Sequence, residues 1–159
     1  MKHKIPLFIN LALFPMLAIM IGCKVGDSKV SKPNVVIIFI DDMGYGDISC
    51  FGDETIETPN IDRLALGGMK FEHCYVTNSI CTPSRAAILT GTYNHVNCVT
   101  TLSTPMNNRL PNLAKHLQTG GYQTAVVGKW HLGEGKNYEP TGFDYWSVLP
   151  GQGDYFDPF

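Results

Sequence analysis

Three places in this sequence set chemically capable side chains close together. Cys81 leads the run Cys81-Thr82-Pro83-Ser84-Arg85, Asp41 and Asp42 are adjacent carboxylates, and Lys129 and His131 flank Trp130. Thr82 fits a helix N-cap and Pro83 the first helical position, where a missing N–H costs nothing. Cys81 is then expected at the positive end of a helix, where anions are favoured. Arg85 falls in the first turn, the wrong sign for the helix dipole, so its position calls for an anion within reach. Repulsion between Asp41 and Asp42 is relieved by a cation. Oxygen ligands without a His/Cys cluster suit Ca²⁺ or Mg²⁺ better than Zn²⁺. Singly, each feature also has a plain reading: a small buried thiol, a solvated acidic turn, and two surface groups beside a packed tryptophan.

The elements that must carry these residues follow from patterning. Asn34 to Ile40 is a continuous apolar, β-branched run and predicts a strand buried on both faces. It ends at Asp41-Asp42. Neighbours on a strand point to opposite faces, so both carboxylates converge only if the chain bends, which Gly44 and Gly46 permit. Thr58-Pro59 opens a helix that Gly67-Gly68 closes. Met69 to Val76 alternates and predicts a strand. Helices are expected over Pro83 to Thr90 and Pro111 to Leu117, and a strand over Tyr122 to Gly128 leads into Lys129. Strands alternating with helices predict an α/β domain with a parallel sheet. Ligands gather at the carboxyl ends of such strands, where Asp41-Asp42 and Lys129-Trp130-His131 fall.

Composition sets bounds. The chain has 159 residues, a formal net charge of -2 and 44% hydrophobic residues, as in ordinary globular proteins. Without a basic excess, nucleic acid is not an expected partner. Lys2, His3 and Lys4 precede the apolar run Leu11 to Ile21, which is short and interrupted for a membrane span and reads as an export signal. Residues 1–22 are read as that signal, 23–32 as a polar tether, and 33–159 as the front part of a catalytic domain. Three expected strands are few beside the usual ~5–6 of a sheet, so a longer protein is expected.

Met20-Ile21-Gly22-Cys23 resembles the lipobox of bacterial lipoproteins. The resemblance implies lipidation of Cys23 and a membrane-anchored protein of the periplasm or cell surface, held through its acyl chains. Cys50, Cys74, Cys81 and Cys98 remain, and an exported chain permits disulfides whose pairing stays open.

Cys81-Thr82-Pro83-Ser84-Arg85 followed by Ala86-Ala87-Ile88-Leu89-Thr90-Gly91 resembles the signature of the type I, formylglycine-dependent sulfatases of the alkaline phosphatase-like superfamily. Three further segments agree, in order: Pro33 to Val36 leading into Asp41 to Asp47, Thr58 to Ala65, and Gly128 to Gly133. The resemblance implies an α/β/α sandwich around a largely parallel, mixed sheet, here truncated. It implies that a maturation enzyme converts Cys81 to Cα-formylglycine, whose hydrate is the nucleophile. It places Ca²⁺, with Mg²⁺ as the other choice, on Asp41, Asp42 and residue 81. Arg85 would stabilise developing negative charge, Lys129 would bind sulfate oxygens, and His131 would hydrogen-bond the residue-81 hydroxyl and contact substrate. Ser84 would serve the maturation enzyme and packing, and His95 and Asp47 structure.

The family's remaining metal ligands are expected downstream of Phe159, so this chain alone is expected to be inactive. Cys98 stands where the family pattern carries glycine. Gly142 to Trp146 and Leu149 to Tyr155 look like sulfatases acting on sulfated sugars such as glucosamine 6-sulfate units. Two other functions fit part of the pattern: a phosphonate or phosphate-ester hydrolase of the same superfamily, and a non-catalytic lipoprotein that binds sulfated glycans.

Overall fold

The computed structural model describes residues 31–52, 55–154 and 156. The proposed signal and Cys23 lie outside them. The chain divides into two units, residues 1–39 and 40–159. In the first, residues 31–39 have no regular secondary structure and are exposed, Val36 to 81% and Ile38 to 76%. The strand expected over Asn34–Ile40 therefore does not form. Apolar patterning marks a strand's faces, but a strand exists only through the hydrogen-bond ladder of a neighbour.

Among the described residues the second unit holds four α-helices: α1 (Pro59–Gly67), α2 (Cys81–Thr90), α3 (Asn94–Asn97) and α4 (Leu113–Thr119). α1 starts on Pro59 as expected, yet the Thr58 side chain does not cap it. Thr58 Oγ1 instead meets Ser49 Oγ at 2.6 Å and Asp62 Oδ1 at 3.1 Å. α4 begins two residues later than expected. Asn112 rather than Pro111 closes its N-terminus, accepting from Lys115 N at 2.9 Å. Residues 69–76 form no strand.

Two strands pair in parallel, β1 (Ala125–Lys129) and β2 (Tyr145–Leu149). Ala125 stands opposite Tyr145 and Lys129 opposite Leu149. Patterning anticipated β1, shifted toward its start, but missed β2. The register is set at the entrance to both strands. Thr124 N donates to Asp144 Oδ2 at 2.7 Å, and Asp144 N returns a bond to Thr124 O at 2.9 Å. The Thr124 N–H also holds the Asp144 carboxyl below its ordinary acidity range. Parallel strands need a crossover of a dozen or more residues. Residues 130–144 supply it with a single 3₁₀ turn at Lys136–Tyr138 and no α-helix.

The core joins α2 to this crossover. Ala86, Val99, Met106, Trp130 and Leu132 are buried together, with Leu89, Phe143 and Val148 packed against them. Burial of such side chains contributes roughly 1.5–3 kcal/mol each for the larger ones. Two buried asparagines tie the segment after α2 back to it. Asn94 Nδ2 donates to Pro83 O and Val99 O, both at 2.8 Å, and Asn97 Oδ1 accepts from Val99 N at 2.9 Å. The four described cysteines, Cys50, Cys74, Cys81 and Cys98, are free thiols.

Candidate active site

α2 begins two residues earlier than the sequence implies. Ile80 is its N-cap and Cys81 its first residue; Ser84 N donates to Ile80 O at 3.0 Å. Thr82 and Pro83 lie inside the helix rather than at its cap. The physical reason is that the N–H groups of the N-cap and of the first three helical positions have no partner within the helix, so proline is tolerated at the third position too. Thr82 is spared the capping role because its hydroxyl donates outward, to Leu102 O at 3.2 Å. Cys81 is half-buried at this N-terminus. Gly91 ends the helix at φ 65, a left-handed conformation that costs glycine nothing, and its N–H donates to Ala87 O at 2.8 Å.

Arg85 finds the anion its helical position called for. Its Nη2 lies 3.4 Å from Asp41 Oδ2, and its Nη1 donates to Lys129 O at 2.6 Å. Lys129 Nζ contacts the same Asp41 oxygen at 2.5 Å. The Arg85 and Lys129 side chains are 12% and 14% exposed and that of Asp41 30%. Two largely desolvated cations therefore converge on one carboxylate. The Lys129 hydrogen bond, with the charges of Arg85 and Lys129, holds the Asp41 carboxyl below the ordinary carboxylate range.

The bend after Ile40 is made differently from expectation. Neither Gly44 nor Gly46 takes a positive φ; Asp42 does, at 54°. Aspartate is among the few side chains that tolerate this region. Gly44 instead donates its N–H to Asp47 Oδ2 at 2.7 Å, closing a 3₁₀ turn over Tyr45–Asp47. That gives Asp47 the structural role expected of it.

His131 also stands at a positive φ, 51°. Its neighbours hold it there. Trp130 is buried, donates Nε1–H to Tyr138 O at 2.8 Å and meets Phe143 edge-on. Leu132 is buried and its carbonyl accepts from Met106 N at 2.9 Å. The imidazole reaches the start of α2, with Nδ1 3.5 Å from Thr82 Oγ1. Burial first, then the positive charges of Lys129 and Arg85, lower its pKa below 6.5, so it is neutral at neutral pH.

The structure thus joins Asp41, Arg85 and Lys129 directly and brings His131 onto α2 at Thr82, the residue after Cys81. Sequence reasoning missed Thr82 as a partner of His131 and Asn94 as a brace of α2. A hard divalent cation takes six or more oxygen ligands. Among the described residues no three His, Cys, Asp or Glu side chains gather into such a group, and Asp41 is engaged by two cations. The described residues do not by themselves build the expected cation site on Asp41, Asp42 and Cys81.

Comparisons with known proteins extend this geometry. A family model described as Sulfatase matches residues 33–157. The chain is 42% identical over 151 residues to an N-acetylglucosamine-6-O-sulfatase of Bacteroides thetaiotaomicron, covering 92% of this chain and 26% of that protein. It resembles a solved structure of a protein in complex with its substrate D-glucosamine-2-N,6-O-disulfate, with TM-score 0.69 and 47% identity over 74% of this chain and 24% of that one. A phosphonate monoester hydrolase of Agrobacterium radiobacter is similar at TM-score 0.56 and 28% identity, over 65% of this chain and 23% of the other. The chain spans about a quarter of the length of such relatives. The α/β class and the parallel pairing agree with these alkaline phosphatase-like neighbours. The match over residues 33–157 and the 42% identity to a curated sulfatase lead to one conclusion: the chain belongs to the sulfatase family.

Proposed function

We propose that this protein is a sulfuric-ester hydrolase that removes sulfate from sulfated carbohydrates, using a formylglycine hydrate at position 81. The observation that supports this reading is residue 81 at the N-terminus of α2, with His131 against Thr82 and Arg85 of the same helix bonded to Lys129 O. Maturation would oxidise Cβ of Cys81 to an aldehyde, with molecular oxygen as the oxidant used by the maturation enzyme and the sulfur lost as a reduced sulfur species, and the aldehyde adds water to become a geminal diol. One diol oxygen attacks sulfur, the bond from sulfur to the ester oxygen breaks, and the sugar leaves as an alcohol with a proton. The remaining hydroxyl then loses its proton, the Cβ–O bond to sulfate breaks, and the aldehyde returns as sulfate departs. Arg85 and Lys129 offset the charge that gathers on the sulfate oxygens. A neutral His131 accepts a hydrogen bond from the residue-81 hydroxyl. The relatives named for 6-O-sulfated hexosamines point to a sulfated amino sugar as substrate.

The family generally uses a divalent metal, and we assign Asp41 and Asp42, with residue 81, as ligands of Ca²⁺ or Mg²⁺ in the whole protein. Calorimetric Ca²⁺ titration of the whole protein checks this; undiminished binding by Asp42→Asn overturns it. We also assign export and lipidation at Cys23, on the sequence Met20-Ile21-Gly22-Cys23. Labelling with a fatty acid in a bacterial host, lost in Cys23→Ser, checks that assignment.

The whole protein, produced with a maturation enzyme, is expected to release sulfate from N-acetylglucosamine 6-sulfate, and its residue-81 peptide to be lighter than the cysteine form. Cys81→Ala is expected to lower turnover by at least about a thousandfold. Full activity in that variant ends the proposal. The structural likeness to a phosphonate monoester hydrolase supports a second reading. Faster turnover of an aryl phosphonate than of an aryl sulfate selects it.

A further inference from the structure

A neutral imidazole has two tautomers, and the surroundings of His131 favour one. The Thr82 hydroxyl has a single proton. It donates that proton to Leu102 O at 3.2 Å, and its other contact is His131 Nδ1 at 3.5 Å. With the proton committed to Leu102, Thr82 Oγ1 meets Nδ1 as an acceptor, so Nδ1 carries the imidazole hydrogen. Thr82 is 1% exposed, which leaves water little access to replace it. The backbone of His131 is over-determined as well, held at φ 51 between the buried Trp130 and Leu132. Contacts of this length in a free site tighten when substrate binds.

We propose that Thr82 is a positioning residue that fixes His131 as the Nδ1–H tautomer, leaving Nε2 as the nitrogen that accepts protons in the site. The use made of Nε2 rests on the sulfatase reading; the tautomer itself does not. In that reaction Nε2 accepts a hydrogen bond from the residue-81 hydroxyl, while Nδ1–H stays anchored on Thr82. The charged groups around the ring are Lys129, Arg85, Asp41 and Glu134.

The test uses the full chain labelled with ¹⁵N-histidine. Long-range NMR correlations between ring nitrogens and ring protons, recorded above pH 6.5, report the tautomer. His131 is identified by the signals lost in His131→Gln. The wild type is expected to show mainly Nδ1–H. Thr82→Val, which keeps the shape and removes the oxygen, is expected to shift the ratio about threefold to tenfold toward Nε2–H. Thr82→Ser restores the wild-type ratio. A wild-type His131 that is mainly Nε2–H, or a folded Thr82→Val with an unchanged ratio, overturns the proposal. If Thr82→Val loses its folded spectrum, the wild type and Thr82→Ser decide alone, and mainly Nε2–H in either overturns it. Failure of the whole protein to cleave a sulfate ester counts against the sulfatase reading and leaves these outcomes intact.

Discussion

Asp62 and Asp41 are both partly buried carboxylates of the second unit, and their partners differ in kind and in sequence distance. Asp62 accepts from Ser49 Oγ at 2.7 Å, Cys50 N at 3.0 Å and Thr58 Oγ1 at 3.1 Å. All three donors are neutral and lie within 13 residues. Asp62 also sits in the first turn of α1, where a negative charge suits the helix dipole. Asp41 is held by two cations, one of them 88 residues away in sequence. The first arrangement is served by neutral donors near in sequence. The second concentrates charge that its own neighbourhood does not require, at the end of the helix that presents Cys81. A carboxylate that only builds structure is satisfied by what is near it; one that assembles a site draws in groups from distant elements.

Breaking the distant cluster is expected to cost more than breaking the local one. Asp41→Asn leaves Lys129 and Arg85 facing each other with little solvent, and a loss of about 2–3 kcal/mol is expected by chemical denaturation. Asp62→Asn keeps most of its neutral donors served and is expected to cost about 1–2 kcal/mol. If the Asp62 variant loses more, the contrast is inverted.

Acid sharpens the same comparison. His131 titrates below 6.5 in the folded chain, so the unfolded chain takes up that proton first. Stability is therefore expected to fall as pH drops below 6.5, with a slope of at most about 1.4 kcal/mol per pH unit for one proton. Asp41 adds its own loss lower down, as pH falls through the ordinary 3.8 toward its depressed folded value. Asp41→Asn is expected to weaken the lower step and, because the Asp41 charge raises the His131 pKa, to deepen the upper one, whereas His131→Gln removes the upper step. Denaturation followed between pH 7 and pH 3 reads both. The smallest effect expected is at Cys98, which caps α3 at φ 64. Cys98→Gly is expected to stabilise by about 0.5–1 kcal/mol, seen as a higher Tm.

That last position shows what sequence could and could not convey. Glycine was expected at 98 from the family pattern, and the left-handed backbone there supplies the physical reason. Helices α1, α2 and α4 were legible because Pro59, Gly68, Gly91 and Gly120 punctuate them locally. β2 was not, because Tyr145–Leu149 becomes a strand through its partner β1 and the Thr124–Asp144 clamp, neither of which leaves a local pattern. Asn34–Ile40 failed in the opposite sense, with strand-like patterning and no strand. Within the site, Arg85 was legible as a cation in want of an anion. That the anion would be Asp41, and that Thr82 would turn from helix cap to partner of His131, depended on contacts spanning 44 to 88 residues.

The separation between Thr82 and His131 also sets a time. His131 is polymerised 49 residues after Thr82. At ~5–20 residues per second, about 2–10 s pass on the ribosome before the ring that covers this end of α2 exists. Lys129 and Trp130, which close the ion cluster and the core, arrive at the end of the same interval, and Leu132 directly after it. For those seconds Cys81 belongs to an open segment without its tertiary partners, and chemistry on the bare thiol has its widest access before the fold is complete.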